Sequence, residues 1–315
     1  HAQAIRDIDR RRAALDDAPR WTRYPLGVAI VLVRHGVIDP PEVALSVGSD
    51  VPVSLGVSSS AALEVATARA LLGAAGATVE PLDLARWCQE AENHVVGAPC
   101  GIMDQVAVDA GRPGAVLPIL CRPVSVEPPV ALPPGVEVVG WPSGAAHDVA
   151  GDPYRRARSA AFMGKRWVEA AAGETWPWVS ALPGDLVARL PEALDGSSFL
   201  DRFDATVDPL SIIDPAVSYP VRAATGFGVA EHARTTAALA ALRAGALDPF
   251  RELLAASHAG YSAMGLGHPA TDAVVAALEA LPGVHGARAS GGGNGGTVAV
   301  LCDEGSIDPA AADAF

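Results

Sequence analysis

Two carboxylates twelve positions apart, Glu92 and Asp104, are the side chains of this sequence best suited to chemistry. Asp104 follows a glycine and an apolar Ile–Met pair in the run Cys–Gly–Ile–Met–Asp–Gln at 100–105. An aspartate set beside an acceptor hydroxyl can orient it, take its proton, or hold the acceptor while a phosphoryl group passes through a loose transition state. Mg²⁺ needs only one or two protein carboxylates when water and phosphate oxygens fill its other positions. Glu92 suits that part, with Glu90 as the competing neighbour. The plain alternatives are a glutamate on a solvated helix end and an aspartate capping a helix that starts at Gln105.

Two small-residue turns could hold phosphate. The first, Leu–Gly–Val–Ser–Ser–Ser–Ala–Ala at 55–62, opens a stretch of helical composition, and the second is Ser–Gly–Gly–Gly–Asn–Gly–Gly at 290–296. Backbone N–H groups at a helix start lack partners and sit at the positive end of the helix dipole, so they bind anions. Gly56, Ser58, Ser59, Ser60 and Ala61 offer that geometry, and the Ser60 hydroxyl could also reach Mg²⁺. Taken alone, the first turn is equally a serine N-cap, and the second a strand turn that needs glycine for positive φ. The co-occurrence of both turns with the Asp104 segment favours an enzyme that holds a nucleoside triphosphate beside an acceptor hydroxyl.

The elements that must position these residues alternate in type. Residues 2–18 read as a polar helix and 24–35 as a buried helix or strand, a run too short for periodicity to arbitrate, with helix favoured. Residues 43–51 alternate apolar and polar, a strand signal that leads through Pro52 into the first turn. Residues 61–72, rich in alanine and leucine, read as a helix stopped by Gly73 and Gly76, and a second begins near Pro81 and carries Glu92 near its end. Strands are expected at 115–120 and 136–141, and helices at 154–171, 231–247, 248–258 and 271–281. A strand pair flanks the second glycine turn over 286–302. Such alternation implies α/β or α+β architecture. The proline-dense stretch 122–135 marks a boundary between two domains, 1–130 and 131–315.

Composition excludes several classes. At 315 residues, 50% apolar and 19% charged, the chain can build one large or two medium cores and is neither disordered nor collagen-like. A formal charge of −13 argues against a nucleic-acid surface. Lys165 is the only lysine, so no other lysine can assist phosphate chemistry. The apolar runs are too short for a membrane span, and Cys88, Cys100, Cys121 and Cys302 show no metal spacing. Reduced thiols, no signal peptide and a cytoplasmic location are expected.

On these motifs the sequence resembles the GHMP kinase superfamily. The segment 51–65 resembles the galactokinase phosphate loop, Ala91–Glu92 through 100–105 resembles its metal and catalytic-aspartate segment, and 286–296 resembles its third motif. Residues 160–164, 261–267 and 295–298 lean toward arabinokinase-like relatives, while galactokinases usually carry phenylalanine where Asn294 stands. The resemblance implies a two-lobed fold with the active site between the lobes. It implies an ATP- and Mg²⁺-dependent sugar 1-kinase acting on L-arabinose or galactose, a small-molecule partner with no nucleic acid and no membrane. Asp104 would be catalytic and hold the sugar, with Tyr154 as a further sugar contact and His147 near the domain crossover. Gly56, Ser58, Ser59, Ser60, Ala61, Gly292 and Gly293 would bind ATP, and Ser60 and Glu92 the metal.

Three departures from the family pattern accompany the match. The family's first motif, which precedes the phosphate loop, is absent, Ser54 replaces a common glycine, and Ala146 replaces an arginine. The economical expectation is a piece trimmed at both ends, with a non-catalytic sugar and nucleotide sensor as the alternative. The segment at 100–105 fits a sugar kinase better than a mevalonate or homoserine kinase.

Overall fold

A computed structural model of the chain describes residues 19–146 and 152–308. The helix expected at 2–18 and the side chain of His147 lie outside the described residues. Packing divides the chain into two compact units, one formed by His1–Val53 and Val57–Pro129, the other by Ser54–Gly56 and Val130–Phe315.

The first unit is built on four helices: α1 Arg23–Arg34, α2 Ser59–Ala75, α3 Pro81–Ala91 and α4 Met103–Ala110. Apolar residues three and four apart give α1 and α3 one buried face each. Val28, Val31 and Leu32 of α1 meet Leu84, Cys88 and Ala91 of α3 and Val65, Ala68 and Leu72 of α2. Each valine or leucine so buried contributes about 1.5–3 kcal/mol. Gly27 lets α1 approach closely, because a Cβ there would lie 3.2 Å from the Val95 Cβ. Pro81 starts α3 as the first-turn residue whose missing N–H costs nothing.

After α3 the chain widens into a π-turn, Glu92–Val96, closed by the Gly97 N–H donating to the Glu92 carbonyl at 2.9 Å. Gly97 takes φ 88°, which glycine adopts without steric cost. Such π-turns are frequent at functional sites. The strand expected at 115–120 is two short ones, β1 Ala115–Val116 and β2 Ile119–Cys121, interrupted at Pro118, which has no N–H to give a ladder. β2 pairs antiparallel with β3 Val124–Val126.

The strand expected at 43–51 does not form. That stretch carries no strand assignment, and Val43, Leu45 and Val47 are about half exposed. Alternation predicts a strand only where a neighbouring strand supplies the hydrogen bonds and a core covers one face.

The second unit has a three-stranded antiparallel sheet of β4 Val136–Pro142, β5 Val284–Ala289 and β6 Thr297–Asp303, in the order β4–β6–β5. The β4–β6 register runs from Val136 opposite Asp303 to Pro142 opposite Thr297. The helices, in chain order, include α5 Asp152–Ala172, α6 Val221–Arg243, α7 Pro249–Ala263 and α8 Pro269–Glu279. Val274, Val275 and Leu278 of α8 pack on Val298 and Val300 of β6. α6 starts ten residues before the 231 expected, since residues 221–230 contain no proline to stop it. Among the described residues no helix is long and apolar enough to cross a membrane, and all four cysteines are unpaired.

Candidate active site

In the first unit the site grows from the start of α2. Ser58 precedes it in the left-handed region, φ 61° and ψ 37°, and no side chain caps the helix. The serine N-cap reading therefore fails: held in that conformation, Ser58 leaves the first-turn N–H groups without a side-chain acceptor. A left-handed non-glycine residue costs about 1–2 kcal/mol, and such strain clusters at ligand-binding turns. Ser59, Ser60 and Ala61 form the first turn, Ala61 buried and both serines half-buried.

Ser60 and Glu64 are four apart and so share one face of α2. Glu92 turns toward that face. It is buried, and its carboxylate accepts hydrogen bonds from the thiol of Cys100 at 3.2 Å and the amide Nε2 of Gln105 at 2.7 Å, with the Ser60 side chain close enough to favour its ionised form. The same Nε2 donates to Glu64 Oε2 at 3.1 Å. Glu90, the competing neighbour, is turned elsewhere: it pairs with Arg34 and lies 2.9 Å from His35 Nε2. Of the two glutamates, Glu92 is thus the one beside the phosphate-type turn.

Asp104 sits half-buried in the first turn of α4, whose N-cap position is Ile102, so it is not the cap of a helix beginning at Gln105. Its charge is felt by both glutamates. Burial chiefly, then the charge of Glu92 and, more weakly, of Asp104, pushes the Glu64 carboxyl well above the usual carboxylate range, against the hydrogen bond from Gln105. Burial likewise raises Glu92, as does Asp104, opposed by Cys100, Ser60 and Gln105. Burial and the charge of Glu92 push the Cys100 thiol up, which keeps it an S–H donor rather than a nucleophile. Tyr24 is pushed up to about 12 by burial and by Glu92 and Glu64.

No basic group is among those acting on Glu64. Glu64 Oε1 and Gln105 Oε1 are buried and have no hydrogen-bond partner among the described residues. The arrangement fits a hard divalent cation at Glu92 and Ser60, since Mg²⁺ takes oxygen ligands and keeps much of its shell as water and phosphate. It does not fit a closed protein cage. No group of three His, Cys, Asp or Glu residues among those described could hold a metal alone.

Gly56, Gly292 and Gly293 fall in the second unit. The Ser290 hydroxyl donates to the Gly56 carbonyl at 3.1 Å, and Thr297 Oγ1 donates to the Leu55 carbonyl at 2.7 Å, so the chain at 55–56 is tied to the second glycine turn. Gly293 takes φ 74°, and a Cβ there would come within 2.5 Å of the Leu266 carbonyl oxygen. Asn294 takes φ 56°, a region asparagine enters more readily than most residues. Ser54, where the resemblance expects glycine, also has positive φ, 62°.

Tyr154 is half-buried on α5 and packs against an apolar cluster that includes Ala157, Phe199 and Met264. Lys165 is buried and paired with Glu169, which also accepts the Trp176 N–H at 2.9 Å, so the single lysine is engaged within its own helix. The sequence reading passed over Glu64, Gln105 and Cys100 as partners of Glu92. A signal exists for Glu64: it is the lone acid of α2 and lies one turn after Ser60.

Two family models match the chain, "GHMP kinases N terminal domain" over residues 23–112 and "GHMP kinases C terminal" over residues 238–314. The first covers Ser58–Ala61, Glu92 and Asp104, the second the glycine turn at 290–296, and Tyr154 lies in neither. Among curated proteins, the L-arabinokinase of Arabidopsis thaliana is 33% identical over 93% of this chain and 33% of its own length. The galactokinase of Chloroflexus aurantiacus is 32% identical over 96% of this chain and 71% of its own, and that of Roseiflexus sp. 31% over 91% and 67%. The chain thus spans a third of the L-arabinokinase and about two thirds or more of the galactokinases. A crystal structure of Lactococcus lactis galactokinase complexed with galactose superposes with a TM-score of 0.71 at 23% identity, covering 90% of this chain and 67% of that one, a likeness of fold. With the motifs, the mixed helix–strand fold and these relatives in agreement, the chain belongs to the GHMP kinase family.

Proposed function

We propose that this chain carries the core of an ATP-dependent sugar 1-kinase, which transfers the γ-phosphoryl group of ATP to the anomeric hydroxyl of a monosaccharide, L-arabinose or galactose. The observation that carries the reading is the joining of three parts in the first unit. An uncapped helix start at Ser59, the Ser60 side chain close enough to favour the ionised form of Glu92, and Asp104 close enough to raise Glu92 form one electrostatic group. The relatives named L-arabinokinase and galactokinase supply the acceptor class.

In this reading the N–H groups of Ser59, Ser60 and Ala61 bind phosphate oxygens, as do those of Gly56, Gly292 and Gly293. Ser60 and Glu92 would hold Mg²⁺, which would offset the phosphate charge. Cys100, Ser60 and Gln105 oppose the effect of burial on Glu92 and favour its ionised form. Asp104 orients the anomeric hydroxyl and accepts its proton as the new O–P bond forms and the bond to the ADP oxygen breaks. Tyr154 flanks the sugar. Positioning and electrostatic clamping provide most of the rate. In full-length protein Asp104→Ala should lower turnover about 10²- to 10⁴-fold while ATP binding, read by calorimetry, stays within about 2-fold of wild type. An equal loss of nucleotide affinity would contradict the role given to Asp104.

A further inference from the structure

Three side-chain hydroxyls in the second unit each hold a backbone carbonyl of a glycine turn. Thr297 Oγ1 donates to Leu55 O at 2.7 Å, Ser290 Oγ to Gly56 O at 3.1 Å, and Tyr261 Oη to Gly291 O at 2.6 Å. A trans peptide unit is planar, with its C=O and N–H pointing in opposite directions. Fixing these carbonyls therefore turns the N–H groups of Gly56, Val57 and Gly292 away from Thr297, Ser290 and Tyr261 respectively. None of those three N–H groups has an acceptor among the described residues.

Tyr261 is the most separable of the three. Its ring is held independently of its hydroxyl, edge-on to Phe227 at 5.3 Å and under the Arg288 guanidinium at 4.8 Å. Arg288 is itself fixed by Glu231 at 2.7 Å and Ser257 at 2.6 Å. The ring also walls the turn, because a Cβ on Gly293 would lie 2.7 Å from Tyr261 Cδ1. On the far side, Asn294 N–H donates to Leu266 O at 2.7 Å. The turn is clamped by packing and by backbone bonds, so packing needs no hydroxyl on Tyr261. What the hydroxyl adds is the direction of one peptide plane.

We infer that Tyr261, with Ser290 and Thr297, is a positioning residue for the nucleotide: the three hydroxyls hold peptide planes so that the Gly56, Val57 and Gly292 N–H groups stay aimed at a bound phosphate. This rests on the kinase reading above. It assigns Tyr261 a role in preorganisation, in which donors fixed before binding lose little freedom on binding.

The test is ADP affinity by titration calorimetry on the full-length protein, with the melting temperature of the nucleotide-free protein measured alongside. Loss of one net hydrogen bond predicts a dissociation constant about 2- to 10-fold higher for Tyr261→Phe, with the free protein's melting temperature and the sugar KM little changed. Thr297→Ser should keep wild-type affinity and Thr297→Val should reproduce the loss; this pair decides the matter if Tyr261→Phe does not fold. Wild-type ADP affinity in both Tyr261→Phe and Thr297→Val overturns the inference alone. A wild-type protein that binds no ADP overturns the kinase reading and this inference with it.

Discussion

Replacing Glu64 by glutamine should make the protein more stable at neutral pH, and the gain should grow with pH. Glu64 is fully buried, its Oε2 accepts one hydrogen bond from Gln105, its Oε1 accepts none, and the groups acting on it are Glu92, Asp104 and Gln105. Burial and the two acidic neighbours raise its folded pKa well above the ordinary 4.5. The sign follows directly. The folded protein keeps the Glu64 proton where the unfolded chain releases it, so this contribution to stability is fully present below about pH 4.5 and is lost as pH rises through the folded pKa. Within that window each pH unit costs about 1.4 kcal/mol for one proton.

Glutamine has no proton to release and still accepts from Gln105 Nε2 through its own carbonyl. Glu64→Gln should therefore gain on wild type by about 1.4 kcal/mol per pH unit inside the window, a shift of about 3–6 °C per unit for a domain of ordinary size. Thermal unfolding of both proteins at half-unit steps from pH 5 to 8, without Mg²⁺ or nucleotide, measures it. Two melting curves separated by a constant offset at every pH would refute the reasoning, since they would mean that Glu64 holds no extra proton when folded.

Two further expectations follow from particular residues. Gly293→Ala should destabilise the second unit by about 2–4 kcal/mol, combining left-handed strain with a Cβ driven against Leu266 O and the Tyr261 ring; chemical denaturation checks it, and a loss under 1 kcal/mol would contradict it. Tyr24, pushed up to about 12, stays protonated when folded, so its contribution is present below about pH 10 and is lost as pH rises toward 12. Tyr24→Phe should flatten the fall in melting temperature above pH 10, and an unchanged fall would show that the phenol does not cause it.

The helices were legible in the sequence wherever an apolar face and a proline or glycine boundary coincided, as at Pro81 and Gly76. The segment 43–51 was not, because alternation records which residues could line a strand but not whether a partner lies beside them. At the site, the spacing of Glu92 and Asp104 and the serine turn could be read from local pattern. The choice of Glu92 over Glu90 could not, since it depends on Arg34 and His35 drawing Glu90 away. The left-handed Ser58 was hidden as well: serine before a helix reads as a cap, and only the backbone shows that it is not one. Contacts such as Thr297 with Leu55, 242 positions apart, leave no trace in a local window.

The central claim is tested most directly by product analysis. Full-length protein with ATP and Mg²⁺ is offered L-arabinose, galactose, other monosaccharides, mevalonate and homoserine, while ADP release is followed and the product is examined by phosphorus NMR. The account predicts one preferred sugar, phosphorylated at its anomeric oxygen, with ADP formed in equal amount. ATP binding with no turnover on any acceptor, or phosphate found on a different hydroxyl, would contradict it.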